Sequence, residues 1–395
     1  MSQFAPPETG AAANRVDAMA RKLAEHYHLS VVSLKPSYPS VSLYKGFSLK
    51  RHDRALPYEV TRAFRFHPHR GGLFVRALRE HVMALGLTVR AALAPADIVL
   101  SSSPSMFLGP AALILARSKR ARFVWDVRDV TWHYAKEVGG SSRIVALGLW
   151  ALEIYMTFVL RRADLVIGAT SGITGLLIKS GLTPERVFTV PNGVSRDVLG
   201  VAHTAASNRL RSTRPKVVYA GLLGYNQGVG VLLDVAKALP EVDLILAGDG
   251  PERPLLEKKA QELRMANVSF KGFLGREDLL QLYAESGILL AKVRSTPTLN
   301  ATSISSKLFE YMATGRPLVY AGKGLAVELL DEIGCALTVS PEDPEAIAAA
   351  IRRLLRDPNL MQTLGDRGRK FVQQNYQRDK LMEDLARELK ERFGK

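Results

Sequence analysis

KVVYAGLLGYNQGVGVLLDVAKAL, residues 216–239, reads as a strand, a glycine-rich turn and a helix in immediate succession. The opening run KVVYAG is short, β-branched and apolar, which is how a strand buried on both faces reads. Gly221, Gly224 and Gly228 let the backbone approach a ligand closely. The helix after them offers free N–H groups and the positive end of its dipole to a phosphate. Their spacing is neither GxGxxG nor a Walker A loop. An ordinary tight βα turn is the plain alternative at this position.

The same alternation extends in both directions. LSVVSL (29–34), ADIVLSS (96–102), ARFVWDV (121–127), ADLVIGAT (163–170) and RVFTVP (186–191) precede it; VDLILAGDG (242–250), VSFKGF (268–273), GILLAKV (287–293) and RPLVYAG (316–322) follow. Helical patterns fall between them, among others at 11–27, 107–118, 144–162, 228–239, 252–265, 276–286, 306–314 and 344–356. Repeated β–α alternation implies an α/β class with doubly wound parallel sheets. A polar stretch without period, closed by a proline, interrupts the series near 192–215. The expected organisation is a first domain over 1–195, a linker over 196–215, a second domain over 216–375 and an amphipathic helix over 376–395. Ligands bind such sheets at the carboxyl ends of the strands.

TSISSKLFEYMATGRPLVYAG (302–322) carries a stronger sign of chemistry. Ser305 or Ser306 is a good N-cap. Lys307 falls in the first helical turn, where the dipole disfavours a cation unless an anion occupies that end. Glu310 follows on a neighbouring part of the same face. A hydroxyl and a cation can hold a diphosphate, and a carboxylate accepts hydrogen bonds from a sugar diol. The alternative is a capped amphipathic helix with an incidental lysine. In FVWDVRDVTWHY (123–134), Asp126 and Asp129 stand just after a strand. Either could accept a proton from an acceptor hydroxyl; equally, both could cap the next turn and pair with Arg128.

Charge narrows the partners. The 395 residues contain 54 Lys and Arg against 38 Asp and Glu, a net of +16. Residues 1–200 hold a net of +12 and residues 201–395 a net of +4. A 47% hydrophobic composition excludes general disorder, and one cysteine, Cys335, points to a reducing compartment. MSQFAPPETG lacks the basic and apolar regions of a secretory signal. Residues 50–90 mix Lys50, Arg51, Arg54, Arg62, Arg65, Arg70, Arg76, Arg79 and Arg90 with His67, His69 and His81, and with Phe64, Phe66, Leu73, Phe74, Leu78 and Leu85. Read as a basic, aromatic-studded helix, this is a membrane-surface element; read plainly, it is a solvated face. IVALGLWALEIYMTFVLRR (144–162) approaches a spanning length, but Glu153 sits inside it and a strand follows at once, so a buried or membrane-grazing helix is expected. No zinc finger, RNP sequence or helix-turn-helix supports a nucleic-acid partner.

PNGV (191–194), the turn at 221–228, AGDGPERPLLE (247–257), VSFKGF and KLFEYMATGRPLVYAG (307–322) together resemble family 4 glycosyltransferases of the GT-B fold. PPETGAAANRV (6–16) is similar to that family's first glycine-rich loop. The resemblance covers nearly the whole chain in order, and is closest to a subgroup that builds bacterial surface polysaccharides. It implies two facing Rossmann-like domains with a central cleft. It also implies transfer of a hexosyl or N-acetylhexosaminyl group from a nucleotide diphosphate donor, expected to be UDP-linked, to a lipid-linked or saccharide acceptor. Retention, independence of metal and cofactor, and a peripheral place at the cytoplasmic face of an anionic membrane belong to the same expectation.

Residue by residue, the resemblance places Glu310 on the donor ribose. Gly221, Gly224, Gln227, Gly228, Ser305, Ser306 and Lys307 surround the diphosphate, Lys292 reaches the same phosphates, and Lys271 to Phe273 face the nucleobase. Asp126 and Asp129 line the acceptor side, and Gly10 and Ala11 stand in the family's first glycine-rich loop. Diphosphate leaves, so stabilising its growing charge is the main electrostatic task. No DxD pair and no His/Cys cluster is visible for a metal. Four departures stand out. Thr302 occupies the place of the family's first glutamate, and Leu222 and Gln227 replace its basic pair. The first loop reads Gly-Ala, and only Met1–Phe4 stands where a full first strand is expected, so that strand is truncated or very short. A UDP-N-acetylglucosamine 2-epimerase-like isomerase and a non-catalytic basic binder remain open alternatives.

Overall fold

Strand follows helix throughout the computed structural model, which describes residues 1–38, 41–65, 73–138, 143–205 and 214–394. The chain divides into two units: Met1–Pro191 with Asp379–Lys395, and Asn192–Arg378.

The first unit contains α1 (Ala11–Ala24), β1 (Ser30–Leu34), α2 (Leu49–Arg54), β2 (Glu59–Ala63), α3 (Leu73–Ala92), β3 (Ile98–Ser102) and α4 (Leu108–Lys119). It continues through β4 (Arg122–Val127), α5 (Thr131–Val138), α6 (Arg143–Leu160), β5 (Leu165–Gly168), α7 (Ser171–Lys179) and β6 (Val187–Thr189). β3, β4, β5 and β6 pair in parallel in that order, and β1 pairs in parallel with β2. Met1 and Ser2 lie between the two groups: Ser2 bridges both Ser33 and Ser102, and Ser102 donates to the Met1 carbonyl at 3.0 Å. Two residues thus occupy the central position where a short first strand was expected. Phe123, Trp125, Val127 and Val166 fill the core on one side with Met156 and Val159 of α6. On the other side, Val124, Leu165 and Ile167 meet Met19 and Leu23 of α1.

The second unit begins with α8 (Arg196–Ala205), β7 (Lys216–Ala220), α9 (Val231–Ala238), β8 (Asp243–Ala247), α10 (Arg253–Glu262), β9 (Val268–Gly272), α11 (Arg276–Glu285) and β10 (Ile288–Lys292). Then come α12 (Pro297–Thr302), α13 (Ser306–Ala313), β11 (Leu318–Ala321), α14 (Leu325–Ile333), β12 (Ala336–Val339), α15 (Pro344–Arg356) and α16 (Pro358–Asn375). The six strands form one parallel sheet in the order β12-β11-β10-β7-β8-β9. The order reverses between β7 and β10, and a sheet of this kind binds ligands at that point.

Several expectations are corrected here. Asn192–Ser195 belong to the second unit, where Val194 bonds the Tyr376 carbonyl at 2.8 Å and Arg378 N bonds Val194 at 3.0 Å. The expected linker opens with α8, whose Val198 is fully buried; residues 206–213 lie outside the described residues. The last helix, α17 (Arg378–Phe393), is not an appendage. Met382, Leu385, Ala386 and Leu389 sit in the first unit's core beside Leu165 and Ile167. Residues 50–90 are not one helix but α2, β2 and α3; Phe66, His67, His69 and Arg70 lie outside the described residues. Arg62 and Arg65 in this segment are internal. Arg62 pairs with Asp53 at 2.6 Å, and Arg65 donates to the Lys35 and Gln3 carbonyls at 2.8 and 2.7 Å. Their charge is spent inside the unit rather than toward a surface.

Candidate functional site

The C-terminal ends of β7 and β10, neighbours at the sheet's reversal point, bring the basic groups of the second unit to one turn. Gly221 leaves β7 with φ +152°, and a Cβ there would lie 2.2 Å from Lys307 Nζ. Gly228 closes the turn at φ +56°, and a Cβ there would lie 2.9 Å from both Lys292 Nζ and Arg294 Nε. Any larger residue would displace these cations, so the two glycines are required by close approach as well as by conformation. The turn is thereby flanked by Lys307 at one end and by Lys292 with Arg294 at the other.

Each cation is held by its surroundings. Lys307 is half-buried in the first turn of α13, 3.2 Å from the Tyr219 hydroxyl and 4.3 Å from the centre of its ring. Burial pushes its ammonium down to about 8, opposed by Glu310. Lys292 is fully buried; it donates to the Gln227 carbonyl and pairs with Glu342, both at 3.3 Å. Burial lowers its pKa, against the pull of Glu342. Burying a lysine ammonium costs free energy that these acceptors only partly offset, and such cost concentrates at functional sites. Ser305 takes the N-cap place of α13 as expected, but its side chain makes no capping bond. The N–H groups of that first turn, at Ser306 and Lys307, keep the positive dipole end directed past the helix.

Glu310 lies one turn further along α13. Its Oε1 accepts from Arg276 Nη1 at 3.0 Å. The same guanidinium donates to Asp197 at 2.7 Å and to Ser195 Oγ at 3.1 Å. Burial works to raise the Asp197 carboxyl, but hydrogen bonds from Arg276 and Ser195 hold it at about 2. Arg276 therefore fixes the carboxylate of Glu310 against the start of α8. Lys271 and Phe273 are exposed at the end of β9, where Gly272 accepts from Gly248 N at 2.7 Å. Thr302, in the place of the family's first glutamate, is buried and bonds back to the Thr298 carbonyl at 2.6 Å.

Two residues of this group escaped the reading of the sequence. Arg294 has its backbone N bonded to the Asn226 carbonyl at 2.8 Å and its guanidinium 4.4 Å from the Tyr225 ring centre; its enclosed Nε has no hydrogen-bond acceptor among the described residues. Its signal was the period of two from Lys292. Arg276 stands in the first turn of α11, where the dipole argument that singled out Lys307 applies equally. With Leu222 exposed and Gln227 uncharged, the cations come from β10 and α13 rather than from the turn itself.

The first unit corrects one assignment. Asp126 is fully buried, and its carboxylate is taken up by protein partners rather than open to solvent. Its carboxylate takes Arg15 Nη2 at 2.7 Å and the Ser102 hydroxyl at 2.6 Å, while Arg15 also reaches the Val190 carbonyl at 2.8 Å. Strand β4 is sandwiched between layers, so a carboxylate on it points inward. Asp129, beyond the strand end, is exposed. Gly10 is the N-cap of α1 and Ala11 its first residue; a Cβ on Gly10 would lie 3.3 Å from the Tyr38 ring.

Two parallel-sheet Rossmann-like units, the second with cations and a carboxylate at its switch point, are the architecture of a GT-B protein. The family described as glycosyl transferases group 1 matches residues 202–371, and the glycosyl transferase 4-like domain matches residues 10–193. The chain belongs to the family 4 glycosyltransferases of the GT-B fold. It is 24% identical to WcaI of Escherichia coli, a glycosyl transferase named for colanic acid biosynthesis, over 90% of this chain and 91% of that one. Sucrose-phosphate synthase of Thermosynechococcus elongatus superposes with a TM-score of 0.76 at 18% identity, over 99% of this chain and 95% of that one. HepE of Anabaena, solved with UDP-glucose, gives a TM-score of 0.72 at 17% identity, over 99% of both chains. Membership of this family displaces the isomerase and the non-catalytic binder.

Proposed function

We propose that the chain transfers a sugar from a UDP-sugar to a lipid-linked or saccharide acceptor in the assembly of a bacterial surface polysaccharide. The observation that carries this reading is the 221–228 turn flanked by Lys307, Lys292 and Arg294, with Glu310 one helical turn away. HepE's complex with UDP-glucose supports the choice of UDP, and WcaI's name supports the polysaccharide. In this reading the three cations and the N–H groups of α13 neutralise the leaving diphosphate, so neither metal nor cofactor is needed. The leaving phosphate assists deprotonation on the same face of the sugar, with retention, and exposed Asp129 is the acceptor-side carboxylate. The enzyme works at the cytoplasmic face of an anionic membrane, as a peripheral protein.

Calorimetry with UDP tests the donor site. Glu310→Ala removes charged hydrogen bonds to the ribose and is expected to weaken UDP by about tenfold to a hundredfold. Affinity unchanged in both Glu310→Ala and Lys307→Ala would remove the site assignment. A screen of UDP-, GDP- and dTDP-sugars, with and without EDTA, tests base and metal together. Turnover confined to another nucleotide, or abolished by EDTA, would overturn the corresponding half.

A further inference from the structure

Helix α6, RIVALGLWALEIYMTFVL, is apolar over most of its surface apart from Glu153, and such a helix belongs in a core or against a partner. Among the described residues, only half of it has a protein partner. Met156, Val159 and Leu160 are buried in the first unit's core with Leu152 against them. On the opposite arc Leu147, Trp150, Ile154 and Phe158 are 65, 56, 50 and 47% exposed. Spacings of three and four residues keep these four in one stripe.

α3 repeats the pattern. Met83, Ala84 and Leu87 face the core, while Leu78, Val82, Leu85 and Val89 are 49, 44, 64 and 57% exposed along the other side. α4 packs beside α3 on one flank and α6 on the other, and its Ile114 is 68% exposed. Three neighbouring helices thus turn apolar side chains outward. Monomeric proteins rarely leave so large a patch to water.

The edge of this face is basic. Lys119, in the last turn of α4, donates to the Ala92 and Ala94 carbonyls at the end of α3, at 2.8 and 2.6 Å. Arg117 donates to the Arg162 carbonyl at the end of α6 at 3.1 Å, and the Arg162 guanidinium lies 3.3 Å from the centre of the Phe158 ring. Arg161 bonds the Ser180 carbonyl close by at 3.2 Å. The carboxylates on these helices are engaged elsewhere: Glu80 with Gln3 and Arg79, and Glu153 with His133. Asp164, just beyond α6, pairs with Arg122 at 2.9 Å.

We propose that the outward faces of α3, α4 and α6 dock on an anionic lipid bilayer, the apolar stripes entering the headgroup boundary and the arginine edge meeting lipid phosphates. This rests on the membrane reading above and moves the contact from the basic side chains of residues 50–90 to three apolar helix faces, of which only that of α3 lies in that stretch. An apolar face with a cationic rim is the arrangement that interfacial helices use, with tryptophan at the boundary. A second copy of the chain would bring another basic edge, whereas anionic lipid neutralises it. Among the described residues no helix is long and apolar enough to cross a membrane, so the contact is with one leaflet.

Tryptophan fluorescence reads this surface directly, because Trp125 and Trp132 are buried and only Trp150 is exposed. The full chain is mixed with phosphatidylcholine vesicles, with or without phosphatidylglycerol, and followed by flotation and acrylamide quenching. Flotation with the anionic vesicles, with Trp150 shielded from acrylamide, is expected. Ile154→Glu with Phe158→Glu should cut vesicle partition by roughly tenfold or more while UDP binding is retained. Leu85→Glu with Val89→Glu on α3 gives an independent second variant. Flotation with Trp150 still quenched, or undiminished in both variants, would overturn the surface and leave the membrane reading standing. No flotation would remove both. Shielding of Trp150 without lipid, with a doubled mass in solution, would assign the face to a second copy instead.

Discussion

Asp126→Ala is expected to destabilise the first unit by about 3–5 kcal/mol, because it leaves a buried guanidinium without its counter-charge. Arg15 and Asp126 have side-chain exposures of 2% and 0% and meet at 2.7 Å. Through this pair α1 is tied to β4, through Ser102 to β3, and through the Val190 carbonyl to the end of β6. Chemical denaturation followed by the fluorescence of Trp125, on the same strand, measures the loss. The two units can unfold separately, so the transition that shifts must be the one this tryptophan reports. Replacing both partners with apolar residues, Arg15→Met and Asp126→Leu, should recover much of the loss, since a buried ion pair stabilises little against a well-packed isostere. A fully stable Asp126→Ala protein with a large loss of kcat would return Asp126 to the chemistry.

That residue also shows where reading the sequence stops. The alternation that predicts parallel sheets needs only local pattern, and ten of the quoted strands form, from LSVVSL to RPLVYAG. β2 and β12 escaped because EVTRA and ALTV are short, mixed and partly exposed edge strands. Asp126 and Asp129 look equivalent in DVRD. Only the third dimension separates them, since one lies on a strand covered on both sides and the other beyond its end. The same holds for charge. Residues 50–90 read as a basic surface, yet Arg62 and Arg65 within them answer Asp53 and internal carbonyls. The donor turn was legible because glycines mark backbone conformation locally. The cations that flank it were only half legible: Lys292 and Lys307 stood out beside apolar or helical neighbours, whereas Arg294 and Arg276 acquire meaning through distances to Gly228 and Glu310.

The largest catalytic effect is expected at Lys307. Its Nζ stands 2.2 Å from where a Cβ on Gly221 would be, at the exit of β7, so it meets whatever anion the turn accepts. Removing one donor from a preorganised site for developing charge costs about 100- to 1000-fold in kcat, and Lys307→Ala should fall in that range. Arg294→Ala removes the guanidinium at the opposite end of the turn and should show a loss of the same kind. The double variant should lose less than the product of the two, because both act on one diphosphate. The protonation state of Lys307 gives a separate signature. Burial lowers its pKa to about 8 in the free site, and only the ammonium form attracts the diphosphate. Affinity is therefore fully present below that value and is lost as pH rises through it, by up to about tenfold per pH unit. Bound diphosphate raises the pKa again, so the charged form persists in the complex. UDP titrations from pH 7 to pH 9 should show this fall in the natural protein and a shallower one in Lys307→Arg, whose guanidinium does not titrate there. Equal pH dependence in the two proteins would mean that Lys307 does not touch the phosphates, and the donor site would then rest on Lys292 and Arg294 alone.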